Sequence, residues 1–263
     1  MIDLHLHVLP AVDDGAADDF ETRSMLERWA GFGFTELVST PHLNGSLTPI
    51  YEADVGDALE RAAAMAEDLG ISLMAGFEIM LQPDLPGRLE SGERLSLGGS
   101  TAVLVEVPFF QWPSFTEDTI FGLQAAGFQP VLAHPERYAA VQDDPRRALA
   151  LAGRGVVLQV TYASLAGVLG KPVQRTAELL LQSDAMMVLA SDAHSNGHRL
   201  LAIPRGADRA GELVGDGRLR QLMVDNPAAL LAGEALPDPV KIEPAESPAG
   251  PIGRVKRLFS ASH

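Results

Sequence analysis

The feature that most constrains how this chain can fold is a rhythm. Short apolar runs recur at 2–7, 36–40, 71–77, 101–107, 130–133, 156–160 and 186–190. Most are continuous rather than alternating, as expected of strands covered on both faces of a parallel sheet. Between them lie stretches with helical spacing at 18–32, 51–69, 115–126, 144–153 and 172–183, and two more at 205–214 and 226–233 close the series. Gly33, Gly70 and Gly127 stand where helices stop, and Pro145 suits a helical first turn. The stretch 83–99 is irregular, a short hairpin or a turn of helix. Seven such units predict an α/β fold, a barrel of seven βα repeats. A doubly wound open sheet has the same rhythm and stands as the alternative.

The first run has a pattern of its own. Ile2, Leu4 and Leu6 alternate with Asp3, His5 and His7. A period of two places His5 and His7 on one side of a strand. Paired imidazoles are costly to bury unless something uses them, and a divalent metal is the usual user. Otherwise one caps the strand and the other packs. Pro10 stops the strand, and Asp13, Asp14 and Gly15 form a turn.

Composition excludes several functions. Without cysteine there is no thiolate metal site, no disulfide framework and no cysteine nucleophile, which fits the cytoplasm. Acids outnumber bases 35 to 20, a net charge of −15, which disfavours a nucleic-acid partner. No secretory signal is visible at the N-terminus. No apolar run reaches the roughly 18 residues of a membrane span, so no membrane insertion is expected. The length suits one large domain over 1–236. From 237 to 263 the composition turns to Pro, Ala and Glu and reads as a disordered tail. Its end is basic, with Val255, Leu258 and Phe259, and either touches a partner or membrane surface or is an untidy terminus.

Side chains able to bind metal sit at or just past the ends of six of the seven predicted strands: His5 and His7, His42, Glu78, Glu106, His134, then Asp192 and His194. Asp14 lies in the first loop. The carboxyl ends of parallel strands are where α/β folds build their sites. Five of the chain's seven histidines fall at these points, more than core packing accounts for. Nine nitrogen and oxygen donors exceed one ion's needs and suit two or three. Such donors suit Mn, Fe or Zn, and ions of this kind generate a nucleophile from water at neutral pH. Arg137 and Arg199 follow His134 and His194 closely. Each is suited to a bidentate grip on phosphate oxygens, or else forms a surface salt bridge. Phe109, Phe110, Trp112 and Tyr138 lie in or near loops at the same end, as walls for an aromatic ring or as core.

The motifs MIDLHLH, DDG, STPH, GFE, VEVP, AHPERY and SDAH together resemble the polymerase-and-histidinol-phosphatase (PHP) superfamily. The LPxxDDG and HPERY forms are similar to its bacterial protein-tyrosine phosphatase branch, the CpsB/YwqE type, and the likeness runs over about 1–235. It implies a distorted (β/α)7 barrel with three divalent ions, often manganese. By motif, His5, His7, Glu78 and Asp192 would hold the first ion. Glu78, Glu106 and His134 would hold the second, and Asp14, His42 and His194 the third. Arg137 and Arg199 would bind the phosphoryl group. The implied reaction is attack of a metal-bridging hydroxide on phosphotyrosine in a protein, with a bacterial tyrosine autokinase of polysaccharide assembly as the expected partner. Three rivals are a small-molecule phosphatase acting on histidinol phosphate, a nuclease or proofreading module, and a metal-stabilised interaction module that has lost catalysis. The tyrosine-branch motifs, the acidic charge and the intact set of donors and arginines argue against them in turn.

Overall fold

The structure is a computed structural model describing residues 1–242. Every predicted strand is present, and all strand pairing is parallel. The segments are β1 (Ile2–Leu6), β2 (Glu36–Ser39), β3 (His42–Leu43), β4 (Ser72–Ala75), β5 (Glu78–Met80), β6 (Ala102–Glu106), β7 (Gln129–Ala133), β8 (Val157–Thr161) and β9 (Met187–Ala190). They form two sheets, β1-β2-β4 and β3-β5-β6-β7-β8-β9, which are arcs of one ring. The chain passes from β2 into β3, and from β4 into β5, after a short break. At the seam, Asp192 N donates to His5 O at 2.8 Å and His7 N to Ala193 O at 2.9 Å. This closure makes the molecule a (β/α)7 barrel rather than an open sheet.

The two breaks have local causes. Pro41 brings no N–H to the ladder. At Gly76 a Cβ would stand 2.9 Å from side-chain atoms of Leu97 and Val38, so the strand bends where only glycine fits. Both breaks lie next to predicted site residues, His42 and Glu78.

The helices are α1 (Asp19–Phe32), α2 (Pro49–Glu67), α3 (Leu85–Glu90), α4 (Thr116–Ala125), α5 (Ala139–Asp143), α6 (Arg146–Ala152), α7 (Tyr162–Leu165), α8 (Lys171–Leu181), α9 (His198–Leu201), α10 (Ile203–Arg220) and α11 (Asn226–Ala232). The second begins earlier than its spacing predicts, because Thr48 accepts from Tyr51 N as an N-cap and Pro49 fills the first turn. The irregular 83–99 stretch holds α3 and no hairpin. Short α5, α7 and α9 span too few residues for periodicity to reveal them. α10 is broken at Gly215 (φ 80, ψ 165).

Two apolar clusters hold the barrel. Ile2, Leu4, Val38, Leu104, Val131, Ala133, Val157 and Val188 form the inner one. Between strands and helices lies a larger outer cluster that includes Met25, Trp29, Val103, Val105, Leu158 and Leu189. Alternate residues of one buried strand thus serve different layers. β1 departs from this rule. Its register against β2 shifts between Asp3 and Leu6, so Leu4 joins the inner cluster and Leu6 the outer. Asp3 accepts from Trp29 Nε1 of α1 at 3.0 Å, away from the side that His5 and His7 share. The expected strict alternation over 2–7 therefore gives way to a bulge.

At the expected boundary near 236, the chain continues along the body. Gln221 Nε2 donates to the carbonyls of Pro237 and Asp238, and Val240 N donates back to Gln221 Oε1. Residues 243–263, with the basic segment around Val255, lie outside the described residues. No helix among the described residues is long and apolar enough to cross a membrane.

Candidate metal centre

All nine predicted donors converge at the carboxyl end of the barrel. Three groups have donor atoms within 4.8 Å of one another: His5, His7, Glu78 and Asp192; His7, Asp14, His42 and His194; and His42, Glu78 and Glu106. His134 joins through Glu78, with Nε2 2.7 Å from Oε1, and lies 4.0 Å from Glu106 Oε2. His5 Nε2 stands 3.2 Å from Glu78 Oε2 and 3.4 Å from Asp192 Oδ1. His7 and His42 each face two groups, which motif assignment alone does not indicate.

The donor set fits cations. Glu78 is fully buried, and its Oε2 lies 3.2, 3.3 and 3.0 Å from nitrogens of His5, His7 and His42. Oε2 nevertheless accepts no hydrogen bond, and Nδ1 of His42 has no hydrogen-bond partner either. Buried polar atoms are normally paired, and leaving them unpaired is costly. Lone pairs from several elements aimed at a common space are what a bound cation resolves.

Charge in the cluster follows from these contacts. Burial alone would push His7 down, but its hydrogen bond to Asp13 and the close Glu78 carboxylate carry it up to about 10. Burial and the neighbouring Glu78 carboxylate push Glu106 up to about 7. Asp192 is buried, yet the His5 and His134 rings and Arg137 hold it at about 2. Bound cations would favour the carboxylates further and empty the imidazoles of protons.

Asp13 is the residue that sequence reasoning passed over in favour of Asp14. Its Oδ2 is 2.6 Å from His7 Nδ1 and 3.1 Å from His42 N, and its Oδ1 accepts from Gly15 N at 2.9 Å. It therefore orients two donors and fastens the loop. The signal was present as an aspartate two residues before glycine, the usual form of a side-chain-closed turn. A Cβ on Gly15 would stand 2.3 Å from His7 O, so only glycine lets the loop close on the strand. His134 and Asp192 have left-handed backbones (φ 31 and 50), strain of the kind that gathers at functional sites.

Both arginines reach the cluster. Arg137 Nη1 lies 2.5 Å and Arg199 Nη1 3.0 Å from the same oxygen, Asp192 Oδ2. Neither is a surface salt bridge. Glu136, in the same motif as Arg137, turns away and accepts from Thr161 N, Thr161 Oγ1 and Ser164 Oγ, tying the turn of Arg137 to β8. A pocket of about 450 Å³ opens over the cluster, with Met80, Pro108, Phe109, Arg137 and Arg199 in its walls. Of the four candidate aromatic walls, Phe109 alone lines it. Tyr138 is core, its hydroxyl accepting from Val107 N at 3.2 Å. Trp112 donates to Glu117 at 3.0 Å, and Phe110 is 90 % exposed.

A closed parallel barrel with a histidine and carboxylate cluster at its strand ends defines a class, the metal-dependent α/β barrel hydrolases. Within it, residues 1–232 match the capsular polysaccharide synthesis family CpsB/CapC, and the chain belongs to that family. It is 32% identical over 197 residues to the tyrosine-protein phosphatase YwqE of Bacillus subtilis, covering 74% of this chain and 78% of that protein. It is 28% identical over 204 residues to a putative tyrosine-protein phosphatase, CapC, of Staphylococcus aureus, covering 76% and 79%. A crystal structure from work on YwqE and on CpsB of Streptococcus pneumoniae, described as metal-dependent tyrosine phosphatases, superimposes with a TM-score of 0.82. That match has 30% identity and covers 92% of this chain and all of the other.

Proposed function

We propose that the chain hydrolyses phosphotyrosine in a protein, with divalent ions held by the nine clustered donors and with Arg137 and Arg199 gripping the phosphoryl group. The observation that carries this reading is the convergence of both guanidinium groups on Asp192 Oδ2 beside the donor cluster. Two forked cations next to a candidate metal centre suit a tetrahedral dianion. His5, His7, Glu78 and Asp192 would hold one ion. Glu78, Glu106 and His134 would hold a second, and Asp14, His42 and His194 a third, with manganese the expected metal. Such ions supply Lewis acidity and a nucleophile at neutral pH.

The protein's own groups do the rest. Arg137 and Arg199 start paired to Asp192 and turn onto phosphoryl oxygens when substrate enters. Burial of His5, His7, Glu78, His134 and Asp192 keeps bulk water from the floor of the site and strengthens these contacts. Phe109, Pro108 and Met80 line one wall of the pocket, where a phenyl ring attached to the phosphate would lie. Phenolate, with a parent pKa of about 10, leaves without a strong general acid.

Membership of a capsule-synthesis family points to a tyrosine kinase of polysaccharide assembly as the phosphorylated partner. A substrate phosphorylated by such a kinase would be met in the cytoplasm, which is the proposed location of the activity. The test is phosphate release by metal-stripped protein, with and without Mn²⁺, on a phosphotyrosyl peptide and on histidinol phosphate. Mn²⁺-dependent turnover favouring the peptide is expected. Preference for histidinol phosphate would move the function to metabolism, and no turnover of either would overturn the reading.

A further inference from the structure

With β2 and β3 counted as one stave, and β4 and β5 as another, β8 is the one stave among the described residues that brings no histidine or carboxylate to the cluster. It brings Gln159, fully buried, between Ala133 of β7 and Val188 of β9 in register. Gln159 Oε1 lies 3.1 Å from the backbone N of His134. A backbone N–H only donates, so the side-chain oxygen must face it. The same oxygen is 2.9 Å from His5 Nδ1. That nitrogen must then carry hydrogen, which leaves Nε2 as the donor atom turned toward Glu78 and Asp192. Meanwhile Gln159 Nε2 is buried with no hydrogen-bond partner. One end of the amide is used twice and the other not at all. A residue present only to fill this space would be better apolar.

We infer that Gln159 is a positioning residue of the metal centre, holding His5 in the tautomer whose Nε2 faces the ions and pinning the backbone of His134 beside it. Its oxygen restrains two predicted donors from different strands at once. His134 has φ 31, a left-handed conformation uncommon for a residue other than glycine. The hydrogen bond to its N–H is one constraint on it. This inference rests on the reading of His5 as a metal ligand.

The experiment compares Gln159→Met, Gln159→Leu, Gln159→Glu and His5→Ala with the parent protein, using Mn²⁺ alone as the probe. Met keeps the length and volume of Gln but has no comparable acceptor, Leu removes the acceptor with a shorter, branched side chain, and Glu keeps the accepting oxygen. Bound metal is measured by mass spectrometry and affinity by chelator competition; kcat and KM are measured at low and saturating Mn²⁺. Loss of an outer partner of a ligating histidine typically weakens metal binding 10–100-fold. The Met and Leu variants are expected to fall in that range, with turnover recovered by added Mn²⁺ and KM unchanged. The Glu variant is expected to stay within about threefold of the parent. Parent-like affinity in whichever of Met and Leu folds overturns the proposal, as does a Glu variant as weak as Met. Parent-like binding by His5→Ala would overturn the metal-ligand reading itself, and this inference with it.

Discussion

The guanidinium of Arg137 lies 4.4 Å from the centroid of the Phe109 ring. The aromatic face holds the cation from one side while Asp192 holds it from another. Phe109 therefore does two things in the pocket: it lines the wall and it aims an arginine. A cation over an aromatic face contributes about 0.5–2 kcal/mol. Phe109→Leu should lower kcat/KM on a phosphotyrosyl peptide by roughly two- to thirtyfold, with metal content unchanged. An unchanged kcat/KM would mean that Phe109 neither aims Arg137 nor contacts substrate.

The two arginines share one partner oxygen but approach it from different elements, the turn after β7 and α9. Their roles are separable from metal binding. Arg137→Ala and Arg199→Ala should each cost at least about a hundredfold in kcat/KM, in the range of losing one preorganised charge contact to a transition state. Lysine at either position should recover only part, because a point charge does not reproduce the planar fork. Bound Mn²⁺ should remain at parent levels. Loss of metal together with activity would instead make the arginines supports for Asp192.

Much of this site is visible in the chain, for a physical reason. His5 with His7, and Asp192 with His194, stand two apart at strand ends, so spacing makes each pair conspicuous, although Asp192 and His194 join different donor groups. Glu78, Glu106 and His134 are conspicuous because each ends an apolar run. The fold is legible through the same runs, since a strand covered on both faces has little choice of composition. Other features are invisible for reasons just as specific. Asp13 and Asp14 are chemically alike, and only the loop conformation makes one face His7 Nδ1 and the other the group of His42 and His194. Gln159 sits inside an apolar run, where a single amide reads as a tolerated exception. The bulge in β1 sends Asp3 to α1, and a period-two pattern cannot show a register shift. The pairing of Arg137 with Asp192 joins residues 55 apart, which is a property of the strand order β7-β8-β9.

Proton linkage gives the metal centre a pH signature. In the metal-free fold His7 sits at about 10, above its unfolded value of about 6.5. A raised folded value means that protonated His7 stabilises the fold fully below about pH 6.5, and that this contribution is lost as pH rises toward 10. With His7 in the proposed ligand set, a bound ion takes its lone pair, so loading releases that proton. The gain in Tm on adding Mn²⁺ should therefore grow from pH 6.5 to 9. Titration calorimetry in two buffers of different ionisation enthalpy should show proton release. A gain that is flat or shrinks over that window would place His7 outside the ligand set.

Trp29 offers a test of how the barrel holds its first strand. Its ring is fully buried in the outer cluster, and its Nε1 donates to Asp3 Oδ2 at 3.0 Å. The other Asp3 oxygen accepts from the backbone of His5 and Ser191. Asp3 thus joins α1, β1 and the segment after β9, next to the barrel seam. Trp29→Phe removes the indole donor and part of the ring volume, leaving a buried carboxylate oxygen without its partner. The expected loss is on the order of 2–4 kcal/mol in denaturant unfolding. Because the seam carries His5 and Asp192, the same variant should need more Mn²⁺ for half-maximal activity while its KM for a phosphotyrosyl peptide stays unchanged. Parent-like stability would show that the Asp3 oxygen finds another donor and that the seam does not depend on α1.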